Sequence, residues 1–294
     1  MGLSTIQWTD YTFNPWIGCR KVAPECANCY AETLDRNRYS KTLVPGTKEN
    51  PVSHWGSGPR HRTKTWDQPL KWNSEAGRNL NARTTIHRPR VFCASLADWL
   101  DDENVPIEWF VDLLELIFRT KNLDWLLLTK RPKNWVKRMM AARRAANDRG
   151  LIFEGWLDQW IKGDAPSNVW IGVSAGADQL AALSIPAGIH FLSCEPMLTG
   201  LVATCASRFD WIIFGGESGK HARPMDIDWI RRGVAMCRAN GIAPFVKQLG
   251  KVPYRSIPGS LNMPLMLKDS HGGDMDEWPE DLRVREFPTV KEAK

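Results

Sequence analysis

The stretch Trp211-Ile-Ile-Phe-Gly-Gly-Glu-Ser-Gly219 decides the fold: an unbroken apolar, β-favouring run leads straight into a glycine-rich turn that carries one acid. A strand wet on one face alternates apolar and polar residues, whereas an unbroken run fits a strand buried on both faces of a parallel sheet. The pattern recurs in both directions along the chain. Upstream, Val91–Ala94 leads into Ser95-Leu-Ala-Asp98, and Trp125–Leu128 into Thr129-Lys-Arg-Pro132. Val169–Val173 leads into Ser174-Ala-Gly176, and Ile189–Leu192 into Ser193-Cys-Glu-Pro196. Downstream, Pro244–Val246 leads into Lys247-Gln-Leu-Gly250.

Helical patterns fill several of the gaps. Pro106–Lys121 repeats apolar residues at i, i+3 and i+4, Pro132–Arg149 is amphipathic and stops at Gly150, and Asp226–Asn240 opens on an acidic cap and stops at Gly241. One more strand within Ile6–Trp16 brings the count to seven. Strand and helix in alternation predict an α/β chain folded as a partial or complete parallel (β/α) barrel. In such barrels the functional groups sit where strands end and loops begin, which is where every polar motif above falls.

Two stretches depart from the alternation. Residues 40–90 are rich in Gly, Pro, Asn and basic residues, with Trp55, Trp66 and Trp72 interleaved, and read as a long insertion or lid after the cysteine loop. Residues 267–294 are polar and acid-rich and read as an extension packed on a single barrel domain of residues 1–266.

The 43% hydrophobic and 24% charged content is that of a globular protein, and no apolar run approaches the roughly 20 residues of a membrane span. The N-terminus lacks a basic start followed by an apolar segment, so a cytoplasmic location is expected. Seven cysteines without an export signal argue against a disulfide framework and for metal or redox chemistry in any tight cluster. The formal charge of +6 permits a polyanionic partner. The 15 tryptophans are expected to pack mainly between barrel and helices.

The tight cluster is Cys19-Arg-Lys-Val-Ala-Pro-Glu-Cys26-Ala-Asn-Cys29, three thiols within eleven residues, followed by a helix start at Tyr30-Ala-Glu-Thr. Cys26 and Cys29 are spaced to reach one metal, and the longer gap lets Cys19 fold back onto it. Thiolates suit iron–sulfur clusters and zinc. A 4Fe–4S cluster with one iron free of cysteine accounts for three local cysteines. A structural zinc site wants a fourth ligand, and His54, His61 and His87 are distant and lack motif spacing. A purely structural cysteine cluster is the third reading. Tyr30 and Trp16 are expected to shield the loop, and Cys93, Cys205 and Cys237 to be core cysteines.

Beyond these patterns, the blocks NPWIGCRKVAPECANCYAE, FCASLAD, LLLTKRP, NVWIGVS, HFLSCEPML, DWIIFGGESGKHARPM, FVKQLG and GGDMDEWPEDLRVREFP run in order from near Trp8 to Pro288. Together they resemble the phage- and prophage-associated three-cysteine proteins, a family regarded as radical-SAM-like. The resemblance implies a radical-SAM-like barrel, a phage-related origin, and a 4Fe–4S cluster on Cys19, Cys26 and Cys29. In radical-SAM enzymes S-adenosylmethionine chelates the fourth iron, and reduction of the cluster cleaves its sulfonium to a 5′-deoxyadenosyl radical. Two departures stand out. The spacing here is Cys-x6-Cys-x2-Cys rather than Cys-x3-Cys-x2-Cys, and Gly215-Gly216-Glu217 follows a late strand rather than the second. The loop after Ser174 also lacks the acid expected there.

Residues for cofactor binding are expected at Lys130, Arg131, Glu195, Gly215, Gly216 and Glu217. Lys130 and Arg131 would grip a carboxylate or phosphate, and the two glutamates would accept from an ammonium or a ribose hydroxyl, or else pair with neighbouring cations. Asp98, Ser174, Cys194, Arg223 and Lys247 are further pocket candidates. Lys130–Arg149 carries eight Lys and Arg against one acid, a candidate nucleic-acid footprint. The leading expectation is a radical-SAM-type enzyme acting on a nucleic-acid component, served by a protein partner or electron donor. A nucleic-acid-binding protein with a structural metal is the alternative, and an electron-transfer or light-responsive cluster protein a third.

Overall fold

In the computed structural model, which describes residues 3–101, 104–201 and 206–289, all seven expected strands join one parallel sheet in chain order. They are β1 Tyr11–Thr12, β2 Arg90–Cys93, β3 Asp124–Thr129, β4 Val169–Ser174, β5 Ile189–Cys194, β6 Trp211–Gly215 and β7 Ala243–Gln248. Among the described residues β1 and β7 stand at opposite edges, so the sheet is a curled half-barrel: the partial barrel, not the complete one. The helices used below are α1 Tyr30–Leu34, α2 Gln68–Asn81, α3 Ile107–Arg119, α4 Trp135–Asp148, α5 Glu154–Ile161, α6 Gln179–Leu183 and α7 Ile227–Ala239.

The unbroken apolar runs are explained by burial on both faces. On the helix-covered side, Val91, Trp125, Leu127 and Ile171 meet Phe110, Leu114, Ile117, Met139 and Ala142 of α3 and α4. Further round, Leu192, Cys194, Ile212 and Phe214 meet Ile230, Val234 and Cys237 of α7. On the concave side, Phe92, Leu126, Trp170, Phe191, Trp211, Ile213 and Phe245 close around Trp8, which enters from the N-terminal segment. Gly172 makes room there: a Cβ would stand 2.1 Å from the Phe191 ring.

The helix ends follow ordinary capping. The Asp226 carboxylate accepts from Asp228 N at 3.0 Å and starts α7, as its acidic cap predicts. A 3-10 turn at Pro132–Asn134 leads into α4, where proline fits the first turn. The region of residues 40–90, expected to be irregular, contains the 14-residue helix α2, which connects β1 to β2. Its buried face is only Pro69, Trp72 and Ala76, too narrow a stripe for the periodicity to show. Trp72 stacks on Tyr11 at 4.4 Å, and Trp66 meets Phe13 edge-on at 5.6 Å.

The C-terminal segment covers the open edge of β7. Val246 N donates to Val284 O at 2.8 Å and Glu286 N to Pro244 O at 3.0 Å, while Trp278 and Leu282 join the core beside α7. Backbone groups left open on a sheet edge invite pairing with other chains, and this segment occupies them. Cys205 lies outside the described residues. Among those described, no helix is long and apolar enough to cross a membrane.

Candidate metal and cofactor site

A cavity of about 610 Å³ opens at the C-terminal ends of the strands, and Cys19, Cys26 and Cys29 all line it. Trp8, Phe92 and Leu128 form its apolar floor. The strand ends contribute Asp98, Lys130, Arg131, Ser174, Glu195 and Lys247, so polar groups from five strands converge on one space.

The cysteine loop is held from two sides. On the first, Gly18 N donates to Leu96 O at 3.0 Å and Gly56 N to Cys19 O at 2.9 Å. Gly18 has φ +116°, and a Cβ there would lie 2.2 Å from His54 O, so only glycine lets the chain enter the loop at this point. The His54 backbone is fixed in turn by the buried Asp35 carboxylate, which accepts from His54 N at 3.0 Å and pairs with its Nδ1 at 2.7 Å. Asp35 reaches it because the helix begun by α1 widens into a π turn over Asp35–Tyr39. His54, distant in sequence, therefore returns beneath the cysteine loop, with its Nδ1 committed to Asp35.

On the second side, Asn28 Nδ2 donates to Glu217 Oε2 at 3.1 Å and to His221 O at 2.8 Å. Arg223 grips both Glu217 oxygens, with Nη2 to Oε1 at 2.7 Å and Nε to Oε2 at 2.9 Å, and reaches Pro24 O with Nη1 at 3.1 Å. Burial raises the Glu217 carboxyl, but the bonds from Arg223 and Asn28 outweigh it and hold it below the usual range.

The six described cysteines form no disulfide. Among the described residues no three His, Cys, Asp or Glu side chains are arranged to hold a metal ion, so the three thiols share the cavity without being drawn onto one point. Cys19 accepts from Arg131 Nη1 at 3.4 Å. Burial pushes its thiol up to about 11, against the guanidinium, which favours the thiolate. Three free thiols lining one strand-end cavity, one of them beside a fixed cation, are a donor set that fits a thiolate-bound iron–sulfur cluster.

The structure separates the sequence candidates into three groups. Lys130 lines the cavity, with its backbone N on Asp98 Oδ2 at 2.8 Å. Lys247 pairs with Glu195 Oε2 at 2.5 Å, and among the described residues the buried Glu195 Oε1 and Ser174 Oγ have no hydrogen-bond partner. Arg131 is turned onto the cysteine loop rather than into open space. Gly215, Gly216, Glu217, Arg223 and Cys194 do not line the cavity. Gly215 instead seats the Glu195 side chain, since a Cβ there would be 3.2 Å from Glu195 Cγ; Gly216 packs on Leu249 O; and Cys194 faces the helices. Asn28 was not among the candidates, its only hint being its place inside Cys26-x-x-Cys29, and His54 was considered only as a distant fourth ligand for zinc.

Most of the charge on the basic stretch is committed within the chain. Lys133 pairs with Asp178 at 3.0 Å, Arg143 with Asp158 and Glu154, and Arg149 with Asp112 at 2.9 Å, while Arg131 and Arg138 are buried.

A family model described as "Protein of unknown function (DUF5131)" matches residues 3–278, nearly the whole chain. The chain belongs to the DUF5131 family. The match takes in every strand of the half-barrel, the cysteine loop and the Glu217–Arg223 brace, so every residue that lines the cavity falls within the matched region. No curated protein and no solved structure matches the chain.

Proposed function

We propose that this DUF5131 protein is an iron–sulfur enzyme of the radical-SAM type, with Cys19, Cys26 and Cys29 as the cluster ligands. The observation that carries the reading is that all three cysteines line one cavity at the strand ends of a parallel half-barrel. The resemblance to phage-associated three-cysteine proteins points the same way. When bound, the cluster with S-adenosylmethionine would supply one-electron reductive cleavage of a sulfonium, and the chain supplies binding, orientation and exclusion of water. Lys130 offers a cation to a carboxylate, and Ser174 Oγ and Glu195 Oε1 are buried acceptors suited to hydroxyl or amine donors. Trp8 and Phe92 close the floor against solvent.

For the substrate we propose a nucleic-acid component, and for the electrons a separate donor protein. The internal ion pairs of Lys133, Arg143 and Arg149 leave the nucleic-acid part of this reading to the net charge of +6 and the cavity itself. The alternative is a nucleic-acid-binding protein with a structural metal.

The test is anaerobic purification with iron, sulfide and zinc analysis and an absorbance spectrum, with Cys26→Ala in parallel. About four irons per chain, a band near roughly 400 nm and loss of both in the variant support the cluster. Release of 5′-deoxyadenosine from S-adenosylmethionine under reducing conditions supports the enzyme. One zinc per chain and no colour after reconstitution with iron and sulfide favour the binding protein.

A further inference from the structure

Sequence reasoning sends the Arg131 side chain toward an anionic ligand. Its guanidinium instead lies against the cysteine loop, with Nη1 3.4 Å from Cys19 Sγ and Nη2 donating to Arg20 O at 2.6 Å. Asp98 fixes it there. One carboxylate oxygen accepts from Arg131 Nη1 at 3.1 Å and Lys130 N at 2.8 Å; the other accepts from Thr129 Oγ1 at 2.7 Å and Leu100 N at 3.0 Å. Thr129 Oγ1 in turn accepts from Arg131 N at 2.8 Å. The side chains of Arg131 and Asp98 are only 8% and 6% exposed, so water screens this cation little. Of the three thiols, it is the Cys19 sulfur that this guanidinium meets.

We infer that Arg131 is a positioning residue that sets the reduction potential of a cluster held by Cys19, Cys26 and Cys29, through its contact with the Cys19 sulfur. This rests on the cluster reading above. A low-potential one-electron donor adds one electron to the cluster and breaks no bond, so the cluster and its thiolates gain one negative charge. A fixed cation beside a ligand sulfur stabilises that more negative state, and hydrogen bonds to cluster sulfurs are a known lever on potential. Asp98 moderates the effect and, more directly, fixes the geometry: with four donors on its carboxylate it leaves the guanidinium little freedom.

The experiment is a redox titration followed by electron paramagnetic resonance on the reconstituted full chain, comparing wild type, Arg131→Met and Arg131→Lys. Arg131→Met should keep wild-type iron and sulfide yet favour the oxidised state by about tenfold, a potential about 59 mV more negative for a one-electron couple. Arg131→Lys keeps the charge but lacks the fork that reaches both Cys19 Sγ and Arg20 O, and should fall between. Equal potentials in wild type and Arg131→Met overturn the inference. Should the variants fail to hold the cluster, wild type carrying 15N-guanidino arginine decides: a 15N coupling to the reduced cluster supports the contact, and its absence overturns it. Wild-type protein that takes up no iron fails the cluster reading itself, a result separate from unchanged potentials.

Discussion

The Glu217 carboxylate accepts a 3.1 Å hydrogen bond from the side-chain amide of Asn28, which lies between Cys26 and Cys29 and 189 positions earlier in the chain. With Arg223 on both of its oxygens, Glu217 ties the strand-end turn after β6 to the middle of the cysteine loop. The glycine-rich turn thus braces the loop from outside the cavity. Glu217→Gln replaces an ionic clamp with a neutral amide and leaves Arg223 without its counter-charge. The expected cost is about 1–3 kcal/mol, together with faster amide exchange across residues 19–29. Unchanged exchange in that loop would show that the Asn28 contact does not hold it.

Two carboxylates should give pH slopes of opposite sign. Glu217 is held below its ordinary value of 4.5, so its stabilisation is present above that value and is lost as pH falls through the lower folded value. Asp124, at the start of β3, is raised from 3.8 to about 6 because burial outweighs the attraction of Arg88 and Arg90. Its folded form holds the proton more tightly than the unfolded chain. Stability is therefore fully present below the unfolded value and is lost as pH rises through the folded one, by on the order of 3 kcal/mol. Denaturant midpoints of Asp124→Asn should lack that decline between roughly pH 4 and 6. A variant that follows the wild-type slope places the titration elsewhere.

The half-barrel was legible because the inner strands β2–β6 are buried on both faces, which leaves unbroken runs such as Trp125–Leu128 and Trp211–Phe214 in the sequence. Helix α2 was not, because only three of its residues face inward and Pro69 sits in its first turn. Spacing grouped Cys19, Cys26 and Cys29, which line one cavity, and strand-end position placed Lys130, Ser174, Glu195 and Lys247 at the same cavity. Direction was what the sequence withheld. Arg131 follows Lys130 at the same strand end, yet Asp98 turns its guanidinium back to Cys19. Glu217 follows two glycines at a strand end, yet Arg223 and Asn28 draw it away from the cavity. In both cases the deciding partner is remote from the motif, and periodicity carries no trace of it.

Gly18→Ala tests the entry to the loop. The residue sits at φ +116° with His54 O where a Cβ would lie, so alanine meets both backbone strain and a backbone oxygen that cannot easily yield. A loss of about 2 kcal/mol or more is expected, read by denaturant unfolding, with Cys19 becoming more accessible to an alkylating reagent. Gly56→Ala, also at positive φ but with nothing within 4 Å of its Cβ, should cost less. Equal losses at the two positions would mean that the close approach to His54 contributes nothing.

Trp8 fills the concave side of the sheet, with its ring centroid 4.5 Å from that of Phe92 and 6.2 Å from those of Phe191 and Trp211. It is 2% exposed and also forms cavity floor. Trp8→Ala should cost about 3–5 kcal/mol by opening a void among these rings, visible as a lower melting temperature and a weaker near-ultraviolet dichroism signal. A cost below about 1 kcal/mol would mean that the sheet closes over the gap, and that the N-terminal segment is not what props it open.

Ser174→Ala separates binding from folding. Its hydroxyl is buried at the end of β4, lines the cavity and has no hydrogen-bond partner among the described residues, so it adds no side-chain hydrogen bond within them. Removing it should change stability by no more than about 0.5 kcal/mol in either direction, and relief of an unmatched polar group favours the stabilising side. If S-adenosylmethionine occupies this cavity, the same hydroxyl is available to it, and losing one neutral hydrogen bond of about 1 kcal/mol weakens affinity about fivefold. Titration calorimetry on the anaerobically reconstituted protein reads the second effect, and thermal unfolding the first. Weaker binding at unchanged stability places the ligand against β4; unchanged binding places it elsewhere in the cavity, nearer Lys130. A large loss of stability would show that Ser174 is a structural residue with a partner of its own.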